Sequence, residues 1–174
     1  MDALMNTLGF HRQTIHLFVG GGPSVGKTYC CRKFSEENGI KAGSTSDIVI
    51  SRLAAELFDC GVSPDHYVDY DGTLILGHIR ENKERFRWLL ESVGDRICKE
   101  DPGALAGALI SSGVTAIDGI RRTSELKHIL ARYPDNHVYW IQREGYPKKE
   151  DNTNLDLDWI EMHAKKVTII SNDF

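Results

Sequence analysis

Apolar positions along this chain change period several times, and the changes mark the elements. Thr14 to Val19 is a short β-rich run that stops at three glycines, Gly20 to Gly22, and Pro23. A helical pattern starts near Gly26 and runs to about Asn38, with Gly39 as its stop. Ile40 to Ser44 reads as a weak second strand. Asp47 falls where a helix N-cap is expected, and Ile48, Leu53, Leu57 and Phe58 follow at helical spacing up to Gly61. Ser63 to Gly77 is rich in Asp and Tyr and reads as loop. The longest helix is expected from about His78 to Glu100, with Ile79, Phe86, Leu89, Leu90, Val93 and Ile97 as its apolar stripe. Asp101-Pro102-Gly103 ends it, and a short apolar helix follows to Ser112. Val114 to Ile117 is a strand ending at Asp118, Thr123 to Arg132 a helix, and His137 to Gln142 a strand with aromatic content. Arg143 to Asn154 is charged and irregular. A short helix, about Leu155 to Ala164, precedes a last strand, Val167 to Ile170. Strands alternate with helices throughout. That order predicts an α/β fold in three layers, a parallel five-stranded sheet with helices on both faces.

Composition narrows the class without changing that picture. The 174 residues suit one domain, 1–174, and 41% apolar with 26% charged residues is ordinary for a globular chain. No apolar run reaches the length of a membrane span, and Met1-Asp2-Ala3-Leu4 lacks the features of a signal peptide. The net charge of −4 makes nucleic acid a less obvious partner, although an acidic chain can still carry a basic groove. Cys30, Cys31, Cys60 and Cys98 form no C-x-x-C pair and are expected as reduced thiols behaving as small hydrophobes in a cytoplasmic protein. The seven histidines show no ligand spacing.

The chemistry concentrates in Gly21-Gly22-Pro23-Ser24-Val25-Gly26-Lys27-Thr28, which fits G-x-x-x-x-G-K-[ST] at every fixed position. The glycines let several backbone N–H groups converge on phosphate oxygens, and the next helix aims its positive end at the same anions. Lys27 supplies a mobile cation for the outer phosphates and Thr28 a hydroxyl ligand for Mg²⁺. A strand before and a helix after are the context such a loop needs. A dinucleotide-type turn fits less well, because the third glycine is missing and Lys27-Thr28 would have no role.

A site of this kind also needs a strand-end carboxylate to hold Mg²⁺. Asp118 sits at such an end, and Asp47, at the end of the second strand, is a candidate base or a plain helix cap. Asp69 and Asp71 are weaker candidates. Transfer of a phosphoryl group spreads negative charge that arginines neutralise. Arg80 and Arg87 lie on one face of the long helix with Glu84 and Glu91, either as a site feature or as a salt-bridged surface stripe. Arg121 and Arg122 follow Asp118, and Arg143 opens the charged segment holding Lys148 and Lys149, either a lid or a solvated loop. Tyr67, Tyr70 and Trp159 are candidates to stack a base, whereas Trp88 and Trp140 are expected in the core.

The combination resembles the P-loop nucleoside monophosphate kinases, and within them those that phosphorylate deoxynucleoside monophosphates in bacterial viruses. The resemblance rests on the cradle, on Arg87-Trp88-Leu89-Leu90-Glu91-Ser92-Val93-Gly94-Asp95, on Ile117-Asp118-Gly119-Ile120-Arg121-Arg122 with Glu125, and on Trp140-Ile141-Gln142-Arg143. Ile169-Ile170-Ser171-Asn172-Asp173 is similar to the family's last strand and donor-base loop. It implies ATP and Mg²⁺, an acceptor-binding region over about 45–112 and a short lid over about 143–157. It also implies that Arg87 binds the acceptor's phosphate, that Arg143 is a lid arginine and that Asn172 lies near the donor base. The host cytoplasm is the place it implies if the source is viral. Glu91 stands where the family has Gln, and the chain ends at Phe174 without the helix that often follows. A related kinase phosphorylates the hydroxymethyl group of 5-hydroxymethyluracil within viral DNA, so DNA is a second acceptor to weigh. A nucleotide-binding switch without transfer activity is a third reading, weakened by the lack of an Asn-Lys-x-Asp motif.

Overall fold

The computed structural model describes residues 14–20, 25–59, 72–143 and 155–172. Five strands form one all-parallel sheet: β1 (Ile15–Gly20), β2 (Ala42–Ser44), β3 (Ala116–Asp118), β4 (Asn136–Gln142) and β5 (Val167–Ser171). Their spatial order is β2-β3-β1-β4-β5. The helices are α1 (Lys27–Asn38), α2 (Thr45–Asp59), α3 (Gly72–Glu81), α4 (Arg87–Glu100), α5 (Ala104–Ser111), α6 (Thr123–Arg132) and α7 (Leu157–His163). The expected α/β architecture is therefore present, with helices on both sheet faces.

Side-chain alternation along β1 separates the two layers. Leu17 and Val19 point to a core shared with Ile117, Val138 and Trp140 and covered by Ala106 of α5, Leu126 and Ile129 of α6 and Ile160 of α7. Phe18 points the other way and meets Ala116, Tyr139 and Ile141 beneath Cys31 and Phe34 of α1. Both faces being covered is why the strands read as nearly continuous apolar runs. A third cluster joins α2 to α5 through Val49, Ile50, Leu53, Ile79, Val93, Cys98 and Leu105.

The strand order decides where a site can be. The chain leaves β1 toward β2, passing β3, and leaves β3 toward β4, passing β1. Right-handed crossovers in opposite directions put α1 and α6 on opposite faces. The carboxyl ends of the neighbouring strands β1 and β3 thus splay their loops apart and leave a crevice between them. The register brings Ser44 beside Asp118 and Phe18 beside Asp118, so three strand ends meet at that edge.

Three expected elements differ. The single helix over 78–100 is two helices, broken by a turn at residues 82–86. At Asn82 the helical bonding gives way to a turn: its side-chain Nδ2 donates to the His78 carbonyl at 3.0 Å beside its own backbone N–H bond to the same oxygen, and the Arg85 N–H then donates to Asn82 O, three residues back, at 2.9 Å. No apolar residue falls between Ile79 and Phe86 to hold a helical stripe together. The loop expected over 63–77 is helical from Gly72, because Leu76 and Ile79 are one turn apart and pack into the third cluster; residues 63–71 lie outside the described residues. Trp88, expected in the core, is 68% exposed. The turn restarts the helical phase at Arg87, and the packed positions are Phe86, Leu89, Leu90, Val93 and Ile97, which leaves Trp88 off the stripe. Trp140 is buried as expected, and Trp159 packs against the first cluster with its ring stacked on His163.

Candidate functional site

At the crevice between β1 and β3 lies a cleft of about 400 Å³. Its near wall is the start of α1, with Gly26, Lys27 and Thr28. Gly26 has φ 95° and caps a helix whose first turn holds no acidic residue and whose N-cap makes no side-chain hydrogen bond. The start of this twelve-residue helix, with the positive end of its dipole, therefore lines the cleft. The cradle residues Gly21, Gly22, Pro23 and Ser24 lie outside the described residues, while Val25 is buried and leads directly into Gly26.

Asn172 bears on this wall in a way the sequence did not indicate. Its buried side chain donates from Nδ2 to the Val25 carbonyl at 2.8 Å, and its own N–H donates to Gln142 O at 2.8 Å. A Cβ on Gly26 would overlap Asn172 Nδ2, so glycine is required there both by its positive φ and by this contact. Asn172 thus ties the end of β5 to the cradle backbone. It lines a second, smaller groove along α1 with Tyr29, Phe34, Tyr139 and Ile170, not the main cleft.

The floor is Asp118 at the end of β3, only 3% exposed, with Oδ1 buried and without a hydrogen-bond partner among the described residues. Gly119 follows at φ 83°, and a Cβ there would come within 2.8 Å of Thr45 Oγ1 and 2.9 Å of Ser44 Oγ. The absence of that side chain lets the start of α2 close down on the β3 end, so Ser44, Thr45 and Ser46 also line the cleft. Arg121 and Arg122 come from the same loop. Arg122 reaches across to α4, its Nε 2.7 Å from Asp95 Oδ1, and packs against Gly94 where a Cβ would meet its guanidinium. Arg121 lines the cleft and forms no ion pair among the described residues.

The far wall is the 82–86 turn and α4, with Lys83, Glu84, Arg87, Leu90, Glu91 and Gly94. Arg87 is forked onto Glu84, Nε to Oε2 at 3.0 Å and a terminal nitrogen to Oε1 at 2.5 Å. Val49, Ile50, Leu90 and Leu105 supply an apolar side. Five cations (Lys27, Lys83, Arg87, Arg121, Arg122) face three carboxylates (Glu84, Glu91, Asp118), a local excess of positive charge in a chain whose net charge is −4. A cleft so built attracts an anion with an apolar portion.

Lys27, Thr28, Asp118, Arg87 and Arg121 are therefore brought together as expected. Asp47 is not. Helix α2 begins at Thr45, three residues earlier than the capping role requires, so Asp47 lies inside the first turn. Its Oδ1 faces Arg80 at 3.8 Å, and it does not line the cleft. Arg143, at the end of β4, is also absent from the lining, and residues 144–154 with Lys148 and Lys149 lie outside the described residues. Cys60, Tyr67, Asp69, Tyr70 and Asp71 lie there too. The other three cysteines are free thiols; burial pushes Cys31 up to about 12 and Cys98 up to about 11, as unreactive core groups.

Sequence reasoning passed over Glu125 as a buried group. It is fully buried in the first turn of α6, and neither oxygen has a hydrogen-bond partner among the described residues. Burial pushes its pKa up to about 7, against the pull of the Arg122 guanidinium. The available signal was its position in α6, three residues after Arg122 on the same face as Leu126 and Ile129.

A carboxylate oxygen buried without a partner beside a helix N-terminus, a threonine hydroxyl and a lysine suits a hydrated divalent cation. Thr28 and Asp118 are the residues that would hold it. No family of known proteins matches this chain, and no curated protein matches it. No helix among the described residues is long and apolar enough to cross a membrane.

Proposed function

We propose that this chain is an ATP-dependent phosphotransferase that moves the γ-phosphoryl group to a deoxynucleoside monophosphate. The observation that carries the reading is the meeting of Lys27 and Thr28, at the start of α1, with the buried Asp118 carboxylate in one cationic cleft. Lys27 and the α1 amides hold the donor's phosphates. Thr28 and Asp118 hold Mg²⁺, which when bound neutralises charge on the donor's outer phosphates. Arg87 and Arg121 stand on opposite walls, placed to hold the acceptor's phosphate in line with the donor. Val49, Ile50 and Leu90 offer an apolar bed for a nucleobase. An oxygen of the acceptor phosphate attacks the γ-phosphorus, and the bond to the β–γ bridging oxygen breaks, releasing ADP. A phosphate is already a nucleophile, so no base is needed, which fits the displacement of Asp47 from the cleft.

The second reading, transfer to the hydroxymethyl group of 5-hydroxymethyluracil in DNA, is favoured by one observation. Trp88, which follows Arg87 in sequence, is exposed, and an exposed aromatic side chain next to a cationic one suits a nucleic-acid strand. In that reading Asp118 is the carboxylate placed to accept the hydroxyl proton.

The test is an acceptor screen with labelled ATP over the deoxynucleoside monophosphates and a duplex carrying 5-hydroxymethyluracil. Label on a monophosphate supports the first reading, and label on the duplex alone replaces it with the second. Lys27→Ala should reduce transfer by at least about 100-fold, and Asp118→Asn should abolish the Mg²⁺ dependence of ATP binding in calorimetry. Retained transfer in Lys27→Ala, or ATP binding by the wild type without any effect of Mg²⁺, would reject the assignment.

A further inference from the structure

The far wall of the cleft presents its guanidinium already engaged. Arg87 lines the cleft opposite Thr28 and Asp118, yet its Nε and one terminal nitrogen, the edge that takes two oxygens side by side, are forked onto Glu84. Glu84 sits in the 82–86 turn with its side chain 80% exposed, and it also lines the cleft. A carboxylate and a phosphate offer the same pair of acceptor oxygens to this edge. Only one of them can hold it at a time.

We propose that Glu84 is a built-in competitor for the anionic acceptor: it occupies Arg87 in the empty cleft, and a phosphate monoester displaces it. The proposal rests on the phosphotransferase reading above and deepens it by naming the residue that sets acceptor affinity. Three features support displacement over a permanent pair. The pair is exposed and three residues apart, so it is a weak contact in water that a dianion beside Arg121 and Lys83 outcompetes. Glu84 lies in a turn, so its side chain can leave without unwinding α4. Glu91, one helical turn beyond Arg87, also lines the cleft and adds a second carboxylate to that wall, which favours an anion that engages Arg87 directly. The arrangement selects a ligand with at least two oxygens on one centre and rejects an uncharged nucleoside. Glu84 is thus a specificity-determining residue, acting through Arg87 and not on the transferred group.

The experiment is calorimetric titration of the full chain with each deoxynucleoside monophosphate, and separately with ATP and Mg²⁺, in wild type, Glu84→Gln, Arg87→Ala and the double variant. Glu84→Gln should tighten monophosphate binding about three- to five-fold, as removal of an exposed competing charge allows. ATP affinity should stay the same. Arg87→Ala should weaken monophosphate binding at least about ten-fold, and in that background Glu84→Gln should have no effect. A helix-capping or stability role for Glu84 would not depend on Arg87. Unchanged acceptor affinity in Glu84→Gln, or a gain that persists without Arg87, overturns the proposal while leaving the phosphotransferase reading intact. If the wild type binds and phosphorylates no monophosphate, both fall.

Discussion

At the scale of single residues, the cradle is held by contacts from distant parts of the chain. Gly26 has no room for a side chain because Asn172, 146 positions later, donates into the Val25 carbonyl beneath it. The bond is buried, so removing its donor leaves a carbonyl unpaired and costs roughly 1–3 kcal/mol. Asn172→Ala should lower the unfolding free energy by that amount in urea titrations and weaken ATP binding, since the loop amides are then free to drift. Unchanged ATP affinity would show that the latch is only structural. The sequence motif had made Lys27 and Thr28 readable, because their spacing is fixed by local geometry. Asn172 was expected near a donor base; its hydrogen bond to the Val25 carbonyl, 147 positions away, is a contact no local pattern encodes.

At the scale of elements, helix boundaries followed short-range chemistry wherever a strong signal existed. α6 runs over Thr123–Arg132 as its pattern predicts, and α1 ends at Asn38 before Gly39. The long helix is interrupted just after Asn82, where the bonding tightens from four residues to three and no apolar residue falls over 80–85 to hold the stripe together. The consequence is functional: the break creates the turn that carries Lys83 and Glu84 to the cleft. The same scale holds the pH prediction for α6. Glu125 keeps its proton in the folded protein up to about pH 7, whereas in the unfolded chain it loses it near 4.5. Between those values the folded state binds more protons, so stability falls as pH rises through that window and stays lower above it. Glu125→Gln should remove this loss, gaining on the order of 3 kcal/mol over wild type at pH 8 and little at pH 4.5. Chemical denaturation at the two pH values measures it, and equal gains at both would show that the carboxyl is not titrating in the folded core.

At the scale of the whole molecule, β1 and β4 place His16 directly beside His137 on the α1 face of the sheet. His16 Nδ1 shares a hydrogen bond with the Tyr139 hydroxyl at 3.2 Å, and His137 Nε2 shares one with Thr168 Oγ1 at 2.8 Å. Burial holds His16 below its usual pKa despite Asp135, and burial with Lys166 and His16 nearby pushes His137 down to about 4. In the unfolded chain His137 takes its proton near 6.5, so the stabilisation is complete above that pH and is lost as pH falls toward 4. Partial exposure limits the effect to about 1 kcal/mol. Glu125 acts with the opposite sign in the same window, so the His137 contribution is read as a difference: between pH 7 and pH 4.5 the urea midpoint of His137→Asn should shift upward relative to that of the wild type. An identical pH dependence in the two proteins would assign the acid sensitivity elsewhere.

Read without its fold, the chain already specified an alternating α/β order, five strands, and a glycine-rich G-x-x-x-x-G-K-[ST] motif between the first strand and the first helix. Those properties follow from periodicity, glycine placement and residue type over a few positions, all of which are local. Only the tertiary structure decided which residues share the cleft. The strand order β2-β3-β1-β4-β5 brings Asp118 beside Ser44 and next to the start of α1, while Asp47 turns away toward Arg80. Pairing across a sheet, and the side toward which a helix turns its charges, depend on what every other element buries.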